Sequence, residues 1–206
     1  LPWRLTRDPY AILVSEIMLQ QTQVERVIPY YLAFLKQFPT ISDLAQASLS
    51  DVLRGWVGLG YNRRAMNLLE IAKTVVRMYA GIIPDDPSVL REFKGIGPYT
   101  SRAIPCFAYG RQYSLLDTNN KRVIGRIYFG VNYPNDQRLI GAADELVPKD
   151  KAWEWNQALM DLGAGVCKAR KPQCSKCPVR SYCKAAESFL STDENMYAQN
   201  HLYGTH

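Results

Sequence analysis

Apolar residues recur at helical spacing along most of this chain, and no useful stretch alternates with a period of two. The pattern therefore predicts an all-α protein without internal repeats. Asp8-Pro9 marks the first helix start, a capping acid followed by proline at a position that needs no N–H. Tyr10, Leu13, Val14, Ile17 and Met18 then form one apolar face. At about 100° per residue, Glu16 falls between Leu13 on one side and Ile12 with Leu19 on the other. Further helices are predicted from Gln23 to Phe38, after the cap Thr40-Ile41-Ser42-Asp43, from Ser48 to Trp56, and from Ala65 through Tyr79 to a stop at Gly81. Pro84-Asp85-Asp86-Pro87 predicts a rigid turn, with Ser88 capping the helix after it. Later helices are predicted from Asn120 to Phe129, Asp136 to Leu146 and Asp150 to Leu162, and the residues after Ala185 read as a poorly ordered polar tail.

Four segments carry more than packing. Burial of Glu16 among apolar neighbours would raise its pKa and let it hold a proton near neutrality, whereas at the rim of the face it would pair with an arginine. The amide-rich run after it, including Gln20 and Gln21, suits either hydrogen bonding to base edges or backbone capping. Gly58-Leu59-Gly60-Tyr61-Asn62-Arg63-Arg64 is a glycine-flexed loop. Its tyrosine either packs beneath the loop or wedges into a base stack while the two arginines grip phosphates. Gly95-Ile96-Gly97-Pro98 is a turn running into a helix, whose N-terminal amides would seat a phosphate; an ordinary helix hairpin explains it equally. Thr100 and Lys121 join these positions as candidate nucleic-acid contacts. Twenty residues beyond Gly97, Asp117 follows Leu115-Leu116 at an element boundary, as a helix cap or as a catalytic acid.

Charge sharpens this picture once it is located. The formal net charge is +6, and of the 25 Lys and Arg residues six (Lys168, Arg170, Lys171, Lys176, Arg180, Lys184) lie in one short segment without an acid. The other 19 balance the 19 acids, so the whole excess sits where a solvated loop or a polyanion-binding surface is expected. The same segment holds Cys167, Cys174, Cys177 and Cys183, spaced C-x6-C-x2-C-x5-C. Such a set in a chain without a secretory signal pattern points to a metal site over disulfides, with zinc and an iron–sulfur cluster equally compatible with thiolate chemistry. Cys106, alone in an apolar helix, reads as a core residue. Both histidines, His201 and His206, lie in the tail, so the body of the chain has no imidazole for a histidine-assisted nucleophile. Apolar runs stay below membrane-spanning length, and the chain reads as soluble and intracellular, in cytoplasm or nucleoid.

LPWR at the start, SEIMLQQTQV, GLGYNRRAMNL, GIGPYT, LDTNNKRV, NQALMDLGAGVC and the cysteine spacing, in this order from Leu1 to about Cys183, resemble the MutY-type adenine DNA glycosylases. These belong to the helix-hairpin-helix, endonuclease III-like superfamily. The resemblance implies a six-helix barrel lobe with the hairpin (1–111), a lobe holding a [4Fe-4S] cluster on the four cysteines (112–184), a DNA cleft between them, and a tail (185–206). It implies base excision repair: a monomeric enzyme binding double-stranded DNA with a mismatched or damaged base, flipping that base out and hydrolysing its N-glycosidic bond. By motif, Glu16 would protonate the departing adenine and Asp117 would stabilise the positive charge on the deoxyribose. Asp117 is expected to be ionised, favoured by nearby helix N-termini. Tyr99 stands where strand-cutting relatives carry a lysine, so the resemblance implies a monofunctional enzyme. Thymine mismatch relatives place arginines where this chain keeps the glutamines of LQQTQ.

The chain departs from that pattern at three places. Thr118 replaces a common glycine after the acid, Asn62 replaces a second tyrosine, and the family's usual 8-oxoguanine-recognising C-terminal domain has no counterpart in these residues. The helix expected before LPWR is also missing, which reads as an incomplete N-terminus. The first reading is adenine excision opposite guanine or 8-oxoguanine; the alternatives are thymine or uracil excision opposite guanine, and a non-catalytic DNA-binding hairpin module.

Overall fold

The computed structural model describes residues 1–134 and 136–190. All regular structure among them is helical, as the 3.6-residue pattern requires, and none of these helices is long and apolar enough to cross a membrane. The chain forms two compact units, Leu1–Tyr113 and a second beginning at Ser114.

The first unit contains α1 (Pro9–Leu19), α2 (Val24–Gln37), α3 (Ile41–Gln46), α4 (Leu49–Trp56), α5 (Arg63–Tyr79), α6 (Pro87–Leu90) and α7 (Pro98–Tyr109). The predicted boundaries hold because their caps do. Asp8 accepts the N–H groups of Tyr10 and Ala11, Thr40 and Asp43 form a reciprocal capping box, and Ser48 accepts from Asp51 N. One cap is different: Asp86, not Ser88, caps α6, its Oδ1 accepting the Ser88 N–H at 2.8 Å.

The larger correction concerns α1. Instead of one apolar face it is buried on all sides from Tyr10 to Met18 and packs against α2, α5 and α7. Small residues allow this. Ala11 and Ser15 occupy the side the pattern left open, and the Ser15 hydroxyl donates to its own helix at Ile12 O, 2.8 Å away. A helix wrapped in this way fixes the orientation of every side chain it carries.

In the second unit α8 (Thr118–Ile124) continues into a π-helical turn at Gly125–Phe129, where the sequence predicted one helix from Asn120. The turn helps to release the carbonyls of Arg126 and Ile127, which accept the N–H groups of Ala185 and Lys184. After α9 (Asp136–Glu145) comes α10 (Ala152–Gly165), which starts later and runs further than predicted. Val123, Ile124, Leu139, Ala143 and Leu159 form the core, and α8 lies so close on α10 that a Cβ at Gly163 would stand 2.8 Å from Asn119 Cβ. Contrary to the expectation of a loose tail, Ala185 and Ala186 are buried and residues 186–190 are helical. Phe189 lies under the Arg126 guanidinium at 4.5 Å. The remainder of the expected tail, 191–206, lies outside the described residues.

Candidate active site

Glu16 sits in the last two turns of α1, with 7% of its surface exposed. Its helix neighbours Leu13, Val14, Ile17 and Met18 are fully buried, so the carboxyl group belongs to the interior and not to a rim.

At the C-terminal end of α1 the chain turns through Gln20 and Gln21, the latter at φ 55, in the left-handed region. Gln20 Nε2 donates to Gly95 O at 2.9 Å, tying the end of α1 to the hairpin turn. Gly95 is required twice over: its φ is +91, and a Cβ there would meet Asn67 Nδ2 at 2.6 Å. Gly97 is the N-cap of α7, with extended backbone, and Pro98 occupies the first helical position as predicted. Tyr99 follows, half-buried. Thr100 is only 4% exposed, and its first-turn amide is the group suited to a phosphate.

The glycine loop also divides its cations. Tyr61, 63% exposed at φ 50, and the exposed Arg63 face solvent. Arg64 does the opposite of what its place in the loop predicts and turns inward, 7% exposed. Its Nη1 donates to the carbonyls of Ile17, Met18 and Gln20 at 3.2, 2.7 and 2.5 Å, and its Nη2 to Leu59 O and Gly60 O at 3.4 and 3.1 Å. Burial lowers its pKa, and the guanidinium lies 5.5 Å from the ring centres of both Trp56 and Tyr61.

In the second unit Asp117 caps α8, its Oδ1 accepting Asn120 N at 2.6 Å. Its pKa is nevertheless raised above the ordinary carboxylate value. Burial outweighs the amides of Asn120 and Asn119 and the positive charges of Arg122 and Lys121, which act in the opposite direction. The expectation of an acid dominated by helix N-termini is thus reversed in net direction. Lys121 lies one helical turn further on, half-buried. The approach to Asp117 is held by side chains that sequence reasoning did not single out. Leu115 N donates to Asn156 Oδ1 and Asn120 Nδ2 to Leu115 O, both at 2.8 Å, while Ser114 N donates to Asp144 Oδ1 at 2.9 Å. Buried asparagines in otherwise apolar helices were the available signal.

The four cysteines line one pocket, walled by apolar groups including Val123, Ile127, Leu162, Val166 and Phe189. Burial first, and then the proximity of the other thiols, pushes Cys174 and Cys183 upward. Deprotonating them together therefore calls for a compensating cationic group. Arg126 holds the rim, donating to Lys168 O at 2.7 Å and Ala169 O at 3.1 Å and standing 3.5 Å from Cys167 Sγ. Arg122, also missed in the sequence, donates to Cys167 O, Asn119 Oδ1 and Gly163 O, each at 2.8 Å.

The chain resembles known proteins in both sequence and fold. Residues 167–183 match the iron-sulfur binding domain of endonuclease III, and the loop accordingly carries a [4Fe-4S] cluster. The chain is 43% identical over 184 residues to an adenine DNA glycosylase of Mycobacterium tuberculosis, covering 87% of this chain and 60% of that protein. It is 40% identical to an adenine DNA glycosylase of Homo sapiens, covering 100% of this chain and 40% of the other. The chain thus spans about half the length of these curated relatives. Among solved structures, a thermostable thymine-DNA glycosylase superposes with a TM-score of 0.85 at 34% identity, covering 91% of this chain and 88% of that one. Residues 14–149, which include Glu16, the hairpin and Asp117, match the HhH-GPD superfamily model, and the chain belongs to this superfamily of base excision DNA repair proteins.

Proposed function

We propose that this chain carries the base-releasing part of a monofunctional DNA glycosylase, acting on adenine mispaired with guanine or 8-oxoguanine in double-stranded DNA. The observation that carries the reading is Glu16, an acid buried within a helix wrapped on all sides by apolar packing. The names of the curated relatives, adenine DNA glycosylases at about 40% identity, support the choice of base.

Adenine is a poor leaving group as an anion, so its departure calls for a proton. In the proposed reaction Glu16 gives its proton to a ring nitrogen of adenine as the bond to C1′ breaks and the electron pair leaves with the base. The sugar becomes an oxocarbenium-like cation, which the Asp117 carboxylate stabilises until water adds at C1′ and loses a proton to solvent, from which Glu16 is reprotonated. Tyr99, having no amine, forms no Schiff base, so the strand stays intact at an abasic site. Gln20 and Gln21 meet the DNA at base edges, Tyr61 enters the stack, Arg63 and Lys121 meet phosphates, and the hairpin amides from Gly95 to Thr100 hold the backbone.

Cys167, Cys174, Cys177 and Cys183 would hold the cluster, which supplies a rigid fold for the basic loop and takes no part in base release. With it in place, the lysines and arginines of the loop bind phosphates, which makes affinity fall steeply with salt. The protein acts as a monomer inside the cell.

Base release measured from duplexes carrying adenine, thymine or uracil opposite guanine or 8-oxoguanine tests this reading. Adenine release leaving an alkali-labile, uncut strand is expected. Release confined to thymine or uracil would transfer the assignment to the alternative substrates, and a borohydride-trapped covalent adduct would end the monofunctional assignment.

A further inference from the structure

We infer that Arg64 is a positioning residue that couples the insertion of Tyr61 to the placement of Glu16, an inference that rests on the roles proposed for those two residues. Three features of the first unit lead to it. The end of α1 leaves carbonyls without partners inside the helix, and those of Ile17, Met18 and Gln20 converge on a single nitrogen, Arg64 Nη1. The other terminal nitrogen, Nη2, holds Leu59 O and Gly60 O, immediately before Tyr61. The central carbon of the same guanidinium lies over the rings of Trp56 and Tyr61, 5.5 Å from each centre.

The loop it holds departs from ordinary backbone. Gly58, Gly60 and Tyr61 have φ of 99, 76 and 50, and a Cβ at Gly58 would fall on the Tyr30 hydroxyl. A tyrosine in the left-handed region persists only where its surroundings over-determine it. Here the surroundings are the guanidinium beneath the ring and its bonds to the two preceding carbonyls. Displacing the Tyr61 ring, as entry into a base stack would, shifts the plane it packs on. That plane cannot move without disturbing the bonds that end α1, one turn beyond Glu16.

Only a rigid fork satisfies two segments at once while presenting a face to an aromatic ring; a lysine keeps the charge and loses that geometry. Arg64 touches neither base nor sugar in this scheme. It makes the acid's position depend on whether the wedge is seated, so that proton delivery is best aligned when the duplex is opened.

The test combines Arg64→Lys, Tyr61→Ala and the double variant in single-turnover adenine release, with 2-aminopurine beside the mismatch reporting on base stacking. Arg64→Lys is expected to slow release about 10- to 100-fold, the scale of a small misplacement of a reacting group. Adding Tyr61→Ala to it should cost little more, because the two act as one unit. Release at the wild-type rate, or losses that multiply, would overturn the inference. Should Arg64→Lys fail to fold, hydrogen exchange on Tyr61→Ala decides: loss of the exposed ring should speed exchange at residues 17–22, and unchanged exchange there defeats the coupling. That measurement needs no catalysis, so a wild-type protein that releases no base would refute the functional reading while exchange still judged Arg64.

Discussion

The Asp117 carboxylate accepts the backbone N–H of Asn120 at 2.6 Å, yet its pKa lies above the ordinary carboxylate value. A helix cap alone would lower it, so burial decides the sign. Because Asp117 must be ionised to oppose a sugar cation, the acid limb of the base-release profile should lie above the usual carboxylate range. Asp117→Asn should reduce single-turnover release by about 10²- to 10³-fold, the scale of removing one preorganised electrostatic partner, while mismatch binding persists. Stability runs the other way. A carboxyl group whose folded pKa is raised contributes most below its unfolded value, and that contribution is lost as pH rises through the folded one. The variant should therefore gain melting temperature relative to wild type at neutral pH, and the gain should shrink in acid. A full rate in Asp117→Asn would remove it from the mechanism.

Glu16→Gln keeps the shape of the buried side chain and removes its proton. Adenine release should fall by about 10²- to 10⁴-fold, the range of general acid catalysis. Uracil and thymine can leave as anions, so any release of these bases should depend far less on Glu16. Parallel rates for the two base classes check the role and the substrate together, and near wild-type adenine release would refute the assignment.

For the cluster loop, purified protein should be yellow-brown and contain iron with little zinc. Cys174→Ser should lower iron content and DNA affinity and flatten the dependence of binding on salt, because the cations held by the loop would no longer meet phosphates together. The chemical step at saturating enzyme should change little. Metal analysis and salt titrations give both numbers, and zinc in place of iron would contradict the cofactor.

Gly95→Ala places a methyl group against Asn67 at a φ of +91. A loss of about 1–3 kcal/mol is expected for a side chain forced into this backbone region, with weaker duplex binding because Gly95 O also receives Gln20. Thermal melts and binding isotherms on the variant check this, and pairing it with Asn67→Ala should recover the steric part only.

Much of the fold was legible because local chemistry and global packing agreed. Asp8, Thr40 and Ser48 cap where the sequence placed helix starts, and Ala65, Leu68, Leu69, Ala72 and Val75 of α5 are buried as its apolar period predicts, although Val76 is exposed. The misreadings share one cause: a helical pattern shows which residues are apolar but not how many neighbours surround them. That is why α1 was read as one-faced and Arg64 as a surface cation. Arg122, Asn120 and Asn156 escaped for a related reason, since a buried polar side chain is recognised by its distant partners. The cysteine set was legible because thiolate ligand chemistry is bound to short sequence spacings, and Asp117 was legible as a helix cap because it directly precedes α8.

The carbonyls of the π-helical turn impose an order on biosynthesis. Arg126 O and Ile127 O wait for the N–H groups of Ala185 and Lys184, and Cys183 Sγ comes to rest 3.5 Å from a carbonyl 57 residues earlier in the chain. Because domains fold from the N-terminus as the ribosome delivers them, the last thiol and its backbone clasp emerge after Val123, Ile127, Leu162 and the other three thiols, and Phe189 follows to complete the wall. Loading of iron is thereby deferred until the segment from Cys183 to Phe189 has emerged, and a chain that stalls before Lys184 leaves the carbonyls of Arg126 and Ile127 without these two N–H groups.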